Sequence, residues 1–178
     1  QPSIVKPVSG GSSHAITVVR DFISLVAAIE RAFRHSGAVI IEEYIDGLEA
    51  TCGTLDSETG DEVEALLPIA VFKKANTPFF DYEAKYNLGD DMFDTSTRYF
   101  DTKTLIEIQR LSTLAHIALG LKQYSRSDFI ATKHRGIYIL ETNSLPALTP
   151  SGLYTKSLEA SGVLFPDFLK RVVGRVLV

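Results

Sequence analysis

The sequence predicts an α+β fold of mostly antiparallel strands with helices packed on one face. β-Branched runs come in pairs joined by short polar or glycine-bearing loops, as at 3–19, 49–73 and 125–143. Two other stretches, 22–33 and 104–121, repeat apolar residues at the helical spacing instead. Neither an internal repeat nor a long low-complexity tract interrupts the pattern.

Ser3 to Val5 reads as a short strand, followed by the polar, glycine-rich run Val8 to Ser13 and a second β-branched run, Ile16 to Val19. That outline is a hairpin whose tip is mostly backbone. Asp21 suits a helix cap, and Phe22, Leu25, Val26, Ile29 and Phe33 form the expected apolar stripe, closed by Gly37. Ala38 to Ile41 is then a buried-looking strand that ends in Glu42-Glu43-Tyr44-Ile45. Asp46-Gly47 makes a turn into a strand over Glu49–Leu55, and the loop Asp56–Asp61 leads into a strand over 63–73. Ala75 to Thr95 has no period and is rich in aromatics and Asp, and aperiodic stretches of that length tend to be functional. Thr104 to Leu121 is an amphipathic helix with Leu105, Ile108, Leu111, Ala115 and Ala118 on one side. A hairpin over 125–143 follows, and short helices around 152–160 and 166–177 close the chain.

With 178 residues, 45% hydrophobic and 22% charged, the chain can bury a sizeable core without disulfides. Its single cysteine, Cys52, excludes an internal disulfide framework and is compatible with a reducing, cytoplasmic setting. A net charge of -4 argues against a nucleic-acid surface. No apolar run approaches the roughly 20 residues of a membrane span. The chain opens on Gln1 with strand-like residues almost at once, which reads as a piece of a longer protein whose upstream part helps complete the active site.

The strongest chemical signal lies in the 125–143 hairpin. A symmetric four-residue turn, Lys133-His134-Arg135-Gly136, sets Thr132 against Ile137, Phe129 against Leu140, Asp128 against Glu141 and Arg126 against Asn143. Alternation then places Arg126, Asp128, Glu141 and Asn143 on one face, and Phe129, Ala131, Tyr138 and Leu140 on the core face. Opposed carboxylates repel, so Arg126, a proton or a cation must offset them. Two carboxylates and an amide oxygen are hard ligands of the kind Mg²⁺ takes alongside phosphates. A solvent-facing polar strand with an ion pair to Arg126 accounts for the same residues.

Other segments are weaker. Gly10-Gly11-Ser12-Ser13 offers backbone amides and hydroxyls to phosphate oxygens, with Lys6 as a nearby point charge, but it also suits a plain hairpin tip. Lys85, among the aromatics of Tyr82-Glu83-Ala84-Lys85-Tyr86, reads as a lid lysine or as part of a packed surface loop. Glu42 and Glu43 could accept from an adenine amine or a ribose, or simply reach solvent. The four histidines are scattered, Cys52 reads as a core residue, and no serine shows a hydrolase pattern.

In order, Val5-Lys6-Pro7, Gly11-Ser12-Ser13, the 42–49 run EEYIDGLE, YEAKY at 82–86, Arg126-Ser127-Asp128-Phe129 and Glu141-Thr142-Asn143-Ser144-Leu145-Pro146 resemble the C-terminal ATP-grasp region of D-alanine–D-alanine ligases over essentially the whole chain. The resemblance implies one ATP-grasp domain over 1–178, the C-terminal part of a longer ligase. Approximately, residues 1–73 would grip the nucleotide and 74–178 carry the lid with the magnesium and acceptor parts. In that family ATP phosphorylates the carboxylate of one D-alanine, and the amine of a second attacks the acylphosphate. Lys6 would contact the phosphates, Ser12 and Ser13 would cover them, and Lys85 would approach the γ-phosphate. Glu42, Glu43 and Ile45 would line the adenine site, with Glu49 at the ribose. Asp128, Glu141 and Asn143 would hold Mg²⁺, or Mn²⁺ in its place, and Arg126 would stabilise the tetrahedral intermediate. The family serves peptidoglycan synthesis in the cytoplasm and commonly forms homodimers.

Three departures from the family's pattern bear most on the acceptor. Ala147 replaces the glycine usual after the proline of ETN-x-x-P, Gly152 replaces a serine that meets the acceptor carboxylate (Ser151 adjoins it), and the phosphate loop continues as His14-Ala15 where the family commonly has an apolar residue and glycine. Another ATP-grasp ligase with a different acceptor, or a non-catalytic nucleotide-binding module, therefore stays open.

Overall fold

The computed structural model describes residues 1–10, 15–72, 93–95 and 98–176. The loop Gly11–His14 and the YEAKY segment, hence Ser12, Ser13 and Lys85, lie outside the described residues. Contacts divide the chain into two units, Gln1–Asp46 with Phe72–Met92, and Gly47–Val71 with Phe93–Val178. The strands from Leu48 to Val71 pack with the second unit.

The first unit is built on a three-stranded antiparallel sheet of order β2-β1-β3, with β1 at Ser3–Pro7, β2 at Thr17–Val19 and β3 at Val39–Glu43. Helix α1 (Phe22–Phe33) starts where Asp21 accepts the Ser24 N–H at 2.8 Å, a bond that also holds this carboxyl below its ordinary range. Small residues four apart, Ala28 and Ala32, let α1 settle onto Val5 and Val19, with Leu25, Ile29 and Val39 around them. Phe22 and Phe33, expected in the buried stripe, are 77% and 54% exposed. The helix stops at Phe33, where the Arg34 N–H turns back to Arg31 O, so Gly37 lies beyond the cap and does not close it. β3 is an edge strand with Ile40 and Ile41 exposed, which corrects the expectation of a buried strand.

In the second unit β4 (Leu48–Asp56) is central. It pairs antiparallel with β8 (Tyr124–Ala131), with β6 (Ile69–Val71) and with β5 (Val63–Ala65). β7 (Phe93–Thr95) lies beyond β6, and β9 (Ile137–Asn143) beyond β8. The single strand expected over 63–73 is broken into β5 and β6, and Pro68, which cannot donate to a ladder, sits in the break.

Both faces of this sheet carry helices, whereas the first sheet carries α1. Helix α2 (Thr102–Ala118), capped by Asp101, meets the face of Cys52, Thr54 and Ser125. Helices α3 (Leu153–Ala160) and α4 (Phe165–Gly174) cover one end of the opposite face, where Leu55, Leu66, Tyr124, Tyr154, Leu158 and Phe168 form a core. Gly53 is required there, since a Cβ would stand 2.9 Å from the Tyr154 ring and 2.7 Å from Leu66.

The buried line of α2 is Ile108, Ser112 and His116, and Ala118 is exposed, so the apolar stripe read from sequence is displaced. His116 Nδ1 lies 2.8 Å from Ser125 Oγ and 3.0 Å from Thr54 Oγ1, while Nε2 lies 3.1 Å from Asp56 Oδ1 without good alignment. Asp56 also receives Arg175 at 2.9 Å and the Gln123 N–H at 2.8 Å. The Asp–His–Ser sequence of contacts is no nucleophile site, because Ser125 is fully buried.

Burial holds the His116 imidazole below its ordinary 6.5, outweighing the opposing pull of Asp56. As pH falls through 6.5, the unfolded chain takes up a proton that the folded chain does not. Stability is therefore expected to fall below that pH, and His116→Gln should remove part of the slope. Urea unfolding at pH 7.5 and 5.5 checks this, and an unchanged slope in the variant would assign the loss to other groups.

Candidate active site

Lys6 and Glu42 stand on neighbouring strands of the first unit, with Lys6 opposite Ile40 and Glu42 opposite Ile4. This diagonal offset lets Lys6 Nζ reach Glu42 Oε2 at 2.7 Å. Glu43 ends β3 and Ile45 follows, half-buried. The pairing of Lys6 with Glu42 was not legible in the sequence, which gave Lys6 a phosphate contact and Glu42 a base contact.

The second unit assembles the hairpin residues. β8 and β9 set Arg126 opposite Asn143 and Asp128 opposite Glu141, as expected. The route differs. Ala131, not Thr132, faces Ile137, leaving a five-residue loop, and Phe129 faces Ile139, not Leu140. A bulge between these registers takes up Leu140, so two departures cancel at the carboxylates. Beyond it the faces of β9 invert: Tyr138 joins the face of Ile130, and Leu140 is 43% exposed, not a core residue.

Arg126 and Asp128, two apart on β8, point the same way. The guanidinium forks the carboxylate, with Nε to Oδ1 and Nη2 to Oδ2 both at 2.9 Å. Their side chains are 11% and 16% exposed, so the pair is little screened. Across the sheet Thr51 is directly opposite Asp128, and its Oγ1 donates to Oδ1 at 2.6 Å. Sequence reasoning missed Thr51, because pairing between strands 77 residues apart leaves no local signal. Glu49, half-buried, shares the Thr51 face of β4 and stands opposite Ile130. Asn143 Oδ1 accepts the Leu145 N–H at 3.2 Å, which fixes the amide oxygen.

Asp128, Glu141 and Asn143 thus bring two carboxylates and an amide oxygen to one sheet face. Among the described residues no group of three or more His, Cys, Asp or Glu side chains is assembled. A partial oxygen set of this kind fits Mg²⁺, which retains waters and takes phosphate oxygens. Cys52 offers no thiolate: it is fully buried, and burial pushes its thiol up to about 12.

Ser151 is exposed, and Gly152 is the N-cap of α3 without a side-chain cap bond. A Cβ at Gly152 would lie 2.8 Å from Ala147 O and 3.0 Å from Thr149 O, so a serine there would force the 147–149 backbone aside. Farther off, a cavity of about 580 Å³ is lined by Glu58, Thr59, Asp167, Lys170, Arg171 and Arg175. Its cations are paired with Asp167, Glu64 and Asp56, and it holds none of the residues singled out above.

Two antiparallel α+β units, the second presenting oxygen ligands and an arginine on one strand pair, have the architecture of the ATP-grasp proteins. Residues 1–174 match the family described as D-ala D-ala ligase C-terminus, and the chain belongs to that family. It is 36% identical over 176 residues to the D-alanine--D-alanine ligase of Syntrophobacter fumaroxidans, covering 99% of this chain and 55% of that protein. Among solved structures it resembles the VanG D-Ala:D-Ser ligase of Enterococcus faecalis, with TM-score 0.80, 32% identity, and 98% and 49% of the two chains covered. The Bacillus anthracis D-alanine--D-alanine ligase complexed with ATP gives TM-score 0.78 and 25% identity, with 99% and 53% covered. The chain spans about half the length of the curated relatives it matches. No described helix is long and apolar enough to cross a membrane.

Proposed function

We propose that this chain is the ATP- and magnesium-binding part of a ligase that joins two D-alanines for peptidoglycan precursor synthesis in the cytoplasm. The carrying observation is the shared face of Arg126, Asp128, Glu141 and Asn143, whose two carboxylates and amide oxygen are ligand types that suit magnesium.

Asp128, Glu141 and Asn143 would hold Mg²⁺, or Mn²⁺ in its place; when bound, the ion neutralises phosphate charge as the γ-phosphoryl group leaves ATP. Lys6 and Lys85 supply point charges to phosphates, with Ser12 and Ser13 closing over them. Glu42, Glu43 and Ile45 receive the adenine and Glu49 the ribose. A D-alanine carboxylate oxygen takes the phosphoryl group as ADP leaves. The amine of the second D-alanine then adds to the acyl carbon and gives up a proton, and the tetrahedral intermediate collapses to the amide with departure of inorganic phosphate. Arg126 faces the negative charge that builds on the acyl oxygen, an interaction stronger in the transition state than in the ground state. A homodimer of the whole protein belongs to the same reading.

Calorimetric titration of Mg·ATP into the chain tests this proposal. Binding should require magnesium and be lost in both Asp128→Ala and Glu141→Ala. Equal affinity in either variant would remove that residue from the metal site.

A second reading concerns only the acceptor. The crowding of Gly152 by Ala147 O leaves Ser151 as the neighbouring hydroxyl, and one structural relative is named a D-Ala:D-Ser ligase. Competition among D-alanine, D-serine and D-lactate in the whole protein would choose between acceptors.

A further inference from the structure

We propose that Thr51 is a positioning residue that fixes the Asp128 carboxylate for the cation. The inference rests on the reading of Asp128 as a magnesium ligand.

Thr51 is 1% exposed in the middle of β4, and the register places it directly opposite Asp128. Its hydroxyl has one proton to give. The 2.6 Å contact to Asp128 Oδ1 takes it, the alternative acceptor Ser127 O being 3.4 Å away. Arg126 Nε donates to the same oxygen at 2.9 Å, and Nη2 donates to Oδ2 at 2.9 Å. A carboxylate oxygen has about two acceptor sites. Oδ1 therefore has both filled, while Oδ2 has one filled and one left over. The carboxylate is held at both oxygens, and the acceptor site left over is on Oδ2.

The two holders act differently. Arg126 brings a positive charge that opposes a cation at the same carboxylate. The Thr51 hydroxyl orients the group and adds no net charge. As a buried β-branched residue in a strand, Thr51 also has little rotamer freedom, so its donor is set before any ligand arrives. Groups that orient a ligating side chain in this way typically contribute 10–100-fold to metal affinity.

The test is a Mn²⁺ titration of the chain, reading free Mn²⁺ by electron paramagnetic resonance, with thermal melts of every variant. Thr51→Val removes the hydroxyl at nearly constant shape, and Thr51→Ala beside it keeps the result independent of how valine packs. Thr51→Ser keeps the hydroxyl, and Asp128→Ala removes the ligand. Affinity should fall about 10–100-fold in Thr51→Val and Thr51→Ala and return close to the parent value in Thr51→Ser. Parent-like Mn²⁺ affinity in Thr51→Val and Thr51→Ala, with loss in Asp128→Ala, overturns the role of Thr51 and leaves the metal site standing. An equal loss in Thr51→Ser and Thr51→Val assigns Thr51 to packing and overturns it as well. Parent-like affinity in Asp128→Ala, or no Mn²⁺ bound by the parent, overturns the metal reading and this inference together.

Discussion

Arg126→Lys is expected to lower ATP-dependent joining of D-alanine by the whole protein about 100- to 1,000-fold, the scale seen when one preorganised donor to a developing oxyanion is lost. The side chain is 11% exposed and forks both oxygens of Asp128, so its plane is set by two parallel bonds. A lysine brings the same charge on a single nitrogen and cannot reproduce that fork. Chemistry should therefore suffer more than Mg·ATP binding, which depends on Asp128, Glu141 and Asn143. Steady-state phosphate release with varied D-alanine, beside calorimetry with Mg·ATP, separates the two. Parent-like turnover in Arg126→Lys would reduce Arg126 to a counter-ion for Asp128.

The second large effect is on stability. Phe168 is fully buried and meets Tyr124 edge-on at 5.2 Å between ring centroids, with Tyr154 at 5.5 Å and Phe165 at 5.7 Å. Phe168→Ala should destabilise the second unit by about 3–5 kcal/mol through lost burial and the cavity left among the rings. At about 2–4 °C per kcal/mol for a chain of this size, the melting midpoint should fall by roughly 6–20 °C. A shift of only a degree or two would mean that the C-terminal helix is not part of the cooperative core.

What the sequence revealed, and what it hid, follows from how local each determinant is. The Asp21 cap, the presence of the helices and the pairing of the first hairpin's strands are local, and these form where the sequence puts them. Asp128 opposite Glu141 agrees with the sequence reading only because the longer loop and the bulge at Leu140 offset one another. The buried stripe of α2 was misread because Ser112 and His116 face inward, satisfied by Cys52 O, Ser125 and Thr54, partners on strands that the helix sequence does not specify. β3 looked buried from Val39-Ile40-Ile41, yet its place at a sheet edge is a tertiary fact. Thr51 stayed hidden for the same reason, since only the β4–β8 pairing gives it a partner.

The bulge at Leu140 separates two counts that a regular hairpin would tie together. In an uninterrupted ladder, adding or removing one residue near the turn changes which side chains share a face along the whole strand. Here the extra residue is absorbed between Phe129 and Asp128, so the loop end and the carboxylate end keep separate parity. Descendants of this sequence can therefore lose Leu140, and pair Phe129 with Ile139 and Asp128 with Glu141 in one unbroken ladder. Among homologous chains, length variation in this strand should gather at that position, while the spacing from Glu141 to Asn143 stays constant.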